Sequence, residues 1–265
     1  MDQNQIDITL GRVRAFIEQQ RLEDGVQMLL ELHPADQAEV FNQLDDGEQD
    51  LLLPHLDIRS TAALFEEMED QQVLDAAEDM DASRLADVLD QMDPDDAADL
   101  LGDLPPEQAS EALAQMEEAA DVLPLLGYPD ETAGGLMTTS YIALRRQNTA
   151  GQAIDFLRKH SLDTDIPYYI YVIDREKHLT GVVGLRELVI SSPDTIIENI
   201  MDRDVIFANV GMDQEEVARI MGKYGLAALP VVDIQQHLVG VITYDDIADV
   251  IQEEVTEDFL HLGGI

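Results

Sequence analysis

Carboxylates are the side chains in this sequence best placed to do chemistry, because several recur at helical spacing. Asp95, Asp96 and Asp99 follow Asp93-Pro94, so Asp95 and Asp99, at i and i+4, fall on one face of the helix that the proline opens. Toward the end of the chain Asp246, Asp249, Glu253 or Glu254 and Glu257 recur at similar spacing and make a second acidic stripe. All-oxygen arrangements of this kind suit a small hard divalent cation that prefers six oxygens and keeps several of its waters. Two carboxylates about 6 Å apart at an effective dielectric of about 20 repel by about 3 kcal/mol, less at physiological salt. A divalent cation between two stripes turns that repulsion into attraction, so its occupancy can set the distance between the elements that carry them.

Other chemistries find little support. The six histidines (His33, His55, His160, His178, His237 and His261) show no H-x-x-x-H spacing, and the absence of cysteine removes thiolate sites and disulfides together. There is no G-x-S-x-G, H-E-x-x-H or P-loop, and no nucleophile or oxyanion donor accompanies the carboxylates, so the chain is expected not to be an enzyme. With 56 acidic against 15 basic residues the formal charge is −41, which makes nucleic acid a poor partner. Residues 1–10 lack the features of a signal peptide, and no window approaches the roughly 20 apolar residues of a membrane helix. The last residues, Leu260 to Ile265, form no evident cap, so the sequence is expected to continue into a longer protein.

The elements that carry these acids follow from two internal repeats. A length of 265 residues with 45% hydrophobic content allows about two cored domains. Residues 1–131 hold 35 acids and 5 bases, residues 132–265 hold 21 and 10, and the shift places a boundary near Pro129–Gly135. In the first half apolar residues fall every twelve positions at Leu32, Leu44, Leu56, Met68, Met80, Met92, Leu104 and Met116, with a second lane at Phe41, Leu53, Phe65, Ala77, Leu89, Leu101 and Leu113. This predicts helices of about eight or nine residues. Stacked as pairs every 24 residues, they form an α-superhelix over about 26–120 behind a lead-in helix at 5–22. Asp57, Asp81 and Asp93 are expected to cap helices. In the second half Gly181-Val182-Val183 matches Gly240-Val241-Ile242, and Asp174 with His178 matches Asp233 with His237, at offset 59. Leu136-Met137 matches Ile200-Met201 at offset 64, so two β-α-β-β-α units are expected, the first longer by five residues around 160–167.

Leu229-Pro230-Val231-Val232-Asp233, followed by His237 to Ile247, resembles the CBS (cystathionine β-synthase-type) family, whose domains pair as a pseudo-twofold disc. In that family Thr and Asp of G-h-x-T-x-x-D, here Thr243 and Asp246, hold the ribose and phosphates of an adenine nucleotide. The first copy has Gly184 and Glu187 at those positions, which implies at most one well-formed nucleotide cleft. The acidic repeat around Met92–Leu101, the segment Tyr128–Thr139, the CBS pair and Glu253–Asp258 together resemble the cytosolic region of the MgtE magnesium channel/transporter family. The resemblance covers essentially the whole chain. It implies an α+β multidomain protein, an N-terminal all-α superhelix followed by a tandem CBS pair. The domains would be 1–131, 132–198 and 199–252, with 253–265 beginning a linking helix toward a membrane domain absent from this chain.

The same resemblance implies a regulatory region at the cytoplasmic face of the cell membrane, a homodimer through the CBS domains, partnered by its own transmembrane domain. Mg²⁺ between the acidic faces would compact the dimer and close the pore, and loss of Mg²⁺ would release it. Carried over by position, its metal ligands are Asp95, Asp99, Asp213, Glu215, Asp246, Asp249, Glu254, Glu257 and Asp258. Its ATP positions are Tyr169, Arg186, Leu226, Thr243 and Asp246. Two positions depart from the family: Ala63 stands where an acid is known, Gly225 stands where an acid can precede the Leu226 strand, and Glu66 or Glu67 could substitute. A second reading stays open: three lysines against 34 aspartates is also the bias of a salt-adapted protein, in which case the module would sense an adenine nucleotide and its acidity would be solvated surface.

Overall fold

A computed structural model describes residues 3–160, 169–248, 250 and 251. The chain separates into two compact units, Met1–Leu126 and Gly127–Ile265. The first is helical: α1 (Gln3–Glu18), α2 (Leu22–Leu30), α3 (Pro34–Phe41), α4 (Asp46–Leu52), α5 (Ile58–Phe65), α6 (Asp70–Glu78), α7 (Ala82–Leu89), α8 (Pro94–Asp103), α9 (Pro106–Leu113) and α10 (Ala119–Val122). From α3 to α9 every helix starts twelve residues after the one before. The lane from Leu44 to Leu104 lies in the turns, two residues ahead of each start, and Phe41, Phe65 and Leu89 close their helices as fully buried side chains. Helices of eight residues are not stable alone, and they stack alternately: α1, α3, α5, α7 and α9 in one row, α2 with α4 and α6 with α8 in another.

The 24-residue repeat extends to single hydrogen bonds. Arg84 donates to the Leu53 carbonyl at 3.1 Å, and 24 residues on Gln108 donates to the Ala77 carbonyl at 2.9 Å. Glu66 accepts the Asp93 N–H at 2.8 Å, and Asp90 accepts the Glu117 N–H at 2.8 Å. Asp57 and Asp81 cap α5 and α7, and Asp45 with Glu48 forms a capping box on α4. Asp93 departs from its expected role: its side chain makes no cap bond on α8, and lies instead with Glu66 and Asp96. The lead-in helix ends at Glu18, earlier than expected, because Gln20 takes a left-handed φ of 57° that turns the chain.

The second unit holds two three-stranded sheets. β1 (Ala143–Arg145), α11 (Ala150–His160), β2 (Tyr169–Ile173), β3 (Leu179–Gly184) and α12 (Leu185–Ile190) form the first repeat. The second comprises β4 (Ala208–Asn209), α13 (Gln214–Tyr224), β5 (Ala228–Val232), β6 (Leu238–Thr243) and helical residues at 244–248, 250 and 251. Each sheet pairs its first two strands parallel and its last two antiparallel. The antiparallel registers are copies: Tyr169 faces Gly184 as Ala228 faces Thr243, and both ladders shift at the same place, just after Leu179 and Leu238. The segment around 160–167 falls largely outside the described residues.

The repeats exchange their leading segments. Thr138, at the head of the first repeat, pairs with Val241 of β6, and Asp202, at the head of the second, pairs with Val182 of β3. Met137 packs over Gly240, where an added Cβ would meet its sulfur at 2.5 Å, and Met201 packs over Gly181, where the distance would be 2.8 Å. Ala133 and Gly134 likewise donate to the Met212 and Val210 carbonyls. Fold class is therefore a helical N-terminal array followed by a pair of β-α-β-β-α units.

Candidate metal and nucleotide sites

Asp95 and Asp99 share α8 but not an environment. Asp95 is 9% exposed, whereas Asp99 is open to solvent. The carboxylates brought together in this unit are those of Glu66, after α5, with Asp93 and Asp96 at the start of α8, one oxygen from each within 4.8 Å of the others. By sequence Glu66 is a substitute ligand, Asp93 a helix cap and Asp96 no part of the ligand set. The legible signal was the stacking period, since the carboxylate that follows one helix reaches the N-terminus of another 27 residues later at both Glu66 and Asp90. Three hard oxygens at a helix N-terminus, with no nitrogen or sulfur donor, are a set suited to Mg²⁺ or Ca²⁺.

In the second unit Asp213 caps α13, accepting the Glu215 N–H at 3.0 Å, and both side chains are exposed. Gly225 ends α13 at φ 63°, a left-handed cap that favours glycine. Asp246 is half-buried and accepts from the Thr243 N–H at 2.9 Å and the Thr243 hydroxyl at 2.7 Å. Both bonds run from Thr243 to the Asp246 carboxylate at the helix start, so the two groups of the T-x-x-D phrase are already engaged with each other. Thr243 also contacts the Asp245 carboxylate. Asp249, Glu254, Glu257 and Asp258 lie outside the described residues.

Of the nucleotide positions, Tyr169 opens β2 and Arg186 is exposed in the first turn of α12. Leu226 is half-buried just before β5, and its N–H donates to the Met221 carbonyl at 3.0 Å as α13 closes. Tyr169 and Ala228 pack against one cluster of Tyr171, Leu238 and Val241, so the starts of β2 and β5 border the same apolar core. Burial there pushes the Tyr171 phenol well above its usual range, aided by Tyr169, and keeps it neutral. In the first repeat the Glu187 carboxylate folds against Gly184, into the space that a side chain at Gly184 would need.

The hairpin turns of the two repeats carry matching aspartates. Burial works to raise Asp174 and Asp233, but hydrogen bonds from the His178 and His237 side chains and from loop N–H groups outweigh it and hold both carboxyls below the usual range.

Residues 32–131 match the MgtE intracellular N domain, and residues 133–193 and 197–253 each match the CBS domain. The chain is 40% identical over 253 residues to the magnesium transporter MgtE of Enterococcus faecalis, covering 94% of this chain and 56% of that protein. It therefore spans about half the length of that curated relative. Its fold is similar to the soluble part of a magnesium transporter, at TM-score 0.83 and 34% identity over 94% of this chain and 99% of that one. It is also similar to the cytosolic domain of the Mg²⁺ channel MgtE in complex with ATP, at TM-score 0.85 and 30% identity over 91% of this chain and 99% of that one.

Proposed function

Because the chain belongs to the MgtE family of magnesium transporters, we propose that it is the Mg²⁺-sensing regulatory region of a dimeric magnesium channel. Mg²⁺ held by acids of the helical array, the CBS pair and the residues beyond 252 compacts the dimer and closes a pore in a membrane part that follows. Falling Mg²⁺ returns the acids to mutual repulsion and releases it. The chain works at the cytoplasmic face of a membrane and catalyses nothing. The observation that carries this reading is the convergence of Glu66, Asp93 and Asp96 at the head of α8, the helix that also bears Asp95 and Asp99.

In this reading Asp95, Asp99, Asp213, Glu215, Asp246, Asp249, Glu254, Glu257 and Asp258 supply ligands, directly or through the waters that Mg²⁺ retains. Exposed apolar side chains on α11 and α12 (Phe156, Val189 and Ile190) support association with a second copy through the CBS domains. Among the described residues no helix is long and apolar enough to cross a membrane.

A structure of a relative in complex with ATP favours a second ligand. We place the nucleotide at Tyr169, Arg186, Leu226, Thr243 and Asp246, where the ribose and phosphates would exchange for the present Thr243–Asp246 bonds. If ATP alone binds, the module is a nucleotide sensor with an acidic solvated surface. Titration calorimetry with MgCl₂ at matched ionic strength separates the two. The proposal expects saturable Mg²⁺ binding that weakens in Asp95→Asn/Asp99→Asn, and heats no larger than those of KCl would overturn it.

A further inference from the structure

Tyr171 is 3% exposed, and among the described residues its hydroxyl has no hydrogen-bond partner. The side chain projects from β2 into the seam between the two CBS repeats, where it packs with Leu238 and Val241 of β6. The hydrophobic side chains around that cluster include two more phenols, Tyr141 and Tyr169. The Tyr141 ring meets Tyr171 edge to face with centroids 6.4 Å apart, but its hydroxyl is already engaged with the Leu238 carbonyl at 3.1 Å. A buried hydroxyl without a partner disfavours the fold, and phenylalanine would fill the same slot without that penalty. Burial, with Tyr169 beside it, keeps the Tyr171 phenol neutral, so it can both donate and accept. Burial falls toward the strand starts: two residues back on the same face Tyr169 is half-buried, as are Leu226 just before β5 and Ala228 at its start.

We propose that the Tyr171 hydroxyl is a specificity-determining contact for the base of a bound adenine nucleotide, a polar anchor inside the apolar seam that the starts of β2 and β5 border. This rests on the nucleotide site proposed above, which uses Tyr169 and Leu226 at the same strand starts. Small-ligand sites are lined mostly by apolar and aromatic side chains, with a few placed polar groups that fix orientation. A flat purine suits such a seam, and its heteroatoms decide how well it meets the phenol. Adenine carries an amino donor beside the N7 acceptor, so one neutral hydroxyl can accept from the first and donate to the second. Guanine offers two acceptors on that edge, N7 and O6, and leaves the accepting side of the hydroxyl unused. The bond exists only in the complex, so losing the hydroxyl lowers affinity for the nucleotide and not the stability of the free chain.

Titration calorimetry with ATP and GTP on the whole 265-residue chain, beside thermal unfolding of the free chain, tests this. In Tyr171→Phe the ATP affinity should fall about tenfold, the size of one buried neutral hydrogen bond, and the preference for ATP over GTP should shrink by a similar factor. The free variant should melt no lower than the unaltered chain. Tyr141→Phe removes a hydroxyl already bonded within the fold and should do the reverse, lowering the melting temperature while ATP affinity stays within about twofold. Equal ATP affinity in the unaltered chain and Tyr171→Phe would overturn the proposal. So would an unchanged preference over GTP, or a free Tyr171→Phe chain that melts lower, which would make the hydroxyl part of the fold. An unaltered chain that binds no ATP would overturn the nucleotide site itself, and this contact with it. Carbon-13 at the tyrosine Cζ positions gives an arm that needs no variant to fold: the Tyr171 resonance should move on saturation with ATP, and a resonance unmoved by bound ATP would contradict the contact.

Discussion

At the scale of single residues, several acids of this chain are engaged in local structure. Asp57 is one of them: a backbone hydrogen bond from Ser60, then one from the Ser60 hydroxyl, hold its carboxyl below the usual range. Replacing it in Asp57→Ala should cost about 1 kcal/mol, seen as a lower urea midpoint with unchanged slope. The sign with pH follows from the lowered carboxyl. Its stabilisation is full above the ordinary carboxylate range and is lost as pH falls through it, so wild type and variant should converge in acid. Asp174 and Asp233 should show the same acid-side loss in native-state exchange of their loop amides. Asp93 marks the limit of reading roles from residue type. The sequence Asp93-Pro94 is a good cap signal, yet Glu66, distant in the chain, takes the Asp93 N–H, and the Asp93 side chain joins a carboxylate group instead.

At the scale of elements, the spacing of apolar residues carried most of the fold. The twelve-residue lanes set where α3 to α9 begin, because each turn must return a buried residue to the stack before the next helix starts. The 59-residue offset likewise anticipated the matching strand registers, down to the shared irregularity just after Leu179 and Leu238. The exchange of leading segments was not legible. Met137 and Met201 matched each other in sequence, but nothing local says that each covers the glycine of the opposite repeat, a contact made over about a hundred residues in one case and twenty in the other. That packing has a measurable consequence. Gly240→Ala should destabilise the second unit by about 1–3 kcal/mol through overpacking against Met137. Met137→Ala combined with it should cost less than the two changes added together, a coupling that a double-mutant cycle reads directly.

At the scale of the whole molecule, both units are strongly acidic, with 35 acids against 5 bases in residues 1–131 and 21 against 10 in residues 132–265. The proposed role of a divalent cation is to offset that shared charge. The candidate site was legible only in part: Asp95 and Asp246 stood out by spacing, whereas the grouping of Glu66, Asp93 and Asp96 required the stacked array. The proposed association of two copies is tested at this scale too. Ile190, 72% exposed beside Val189 at 67%, should be needed for it, so Ile190→Glu should shift the sedimentation coefficient toward the monomer while leaving thermal unfolding little changed. The central claim, that Mg²⁺ draws the acidic surfaces together, is tested most directly by small-angle scattering of this chain from zero to about 20 mM MgCl₂ against KCl at equal ionic strength. The account predicts a radius of gyration that falls with MgCl₂ and saturates while the KCl series stays expanded; equal contraction in both salts would contradict it.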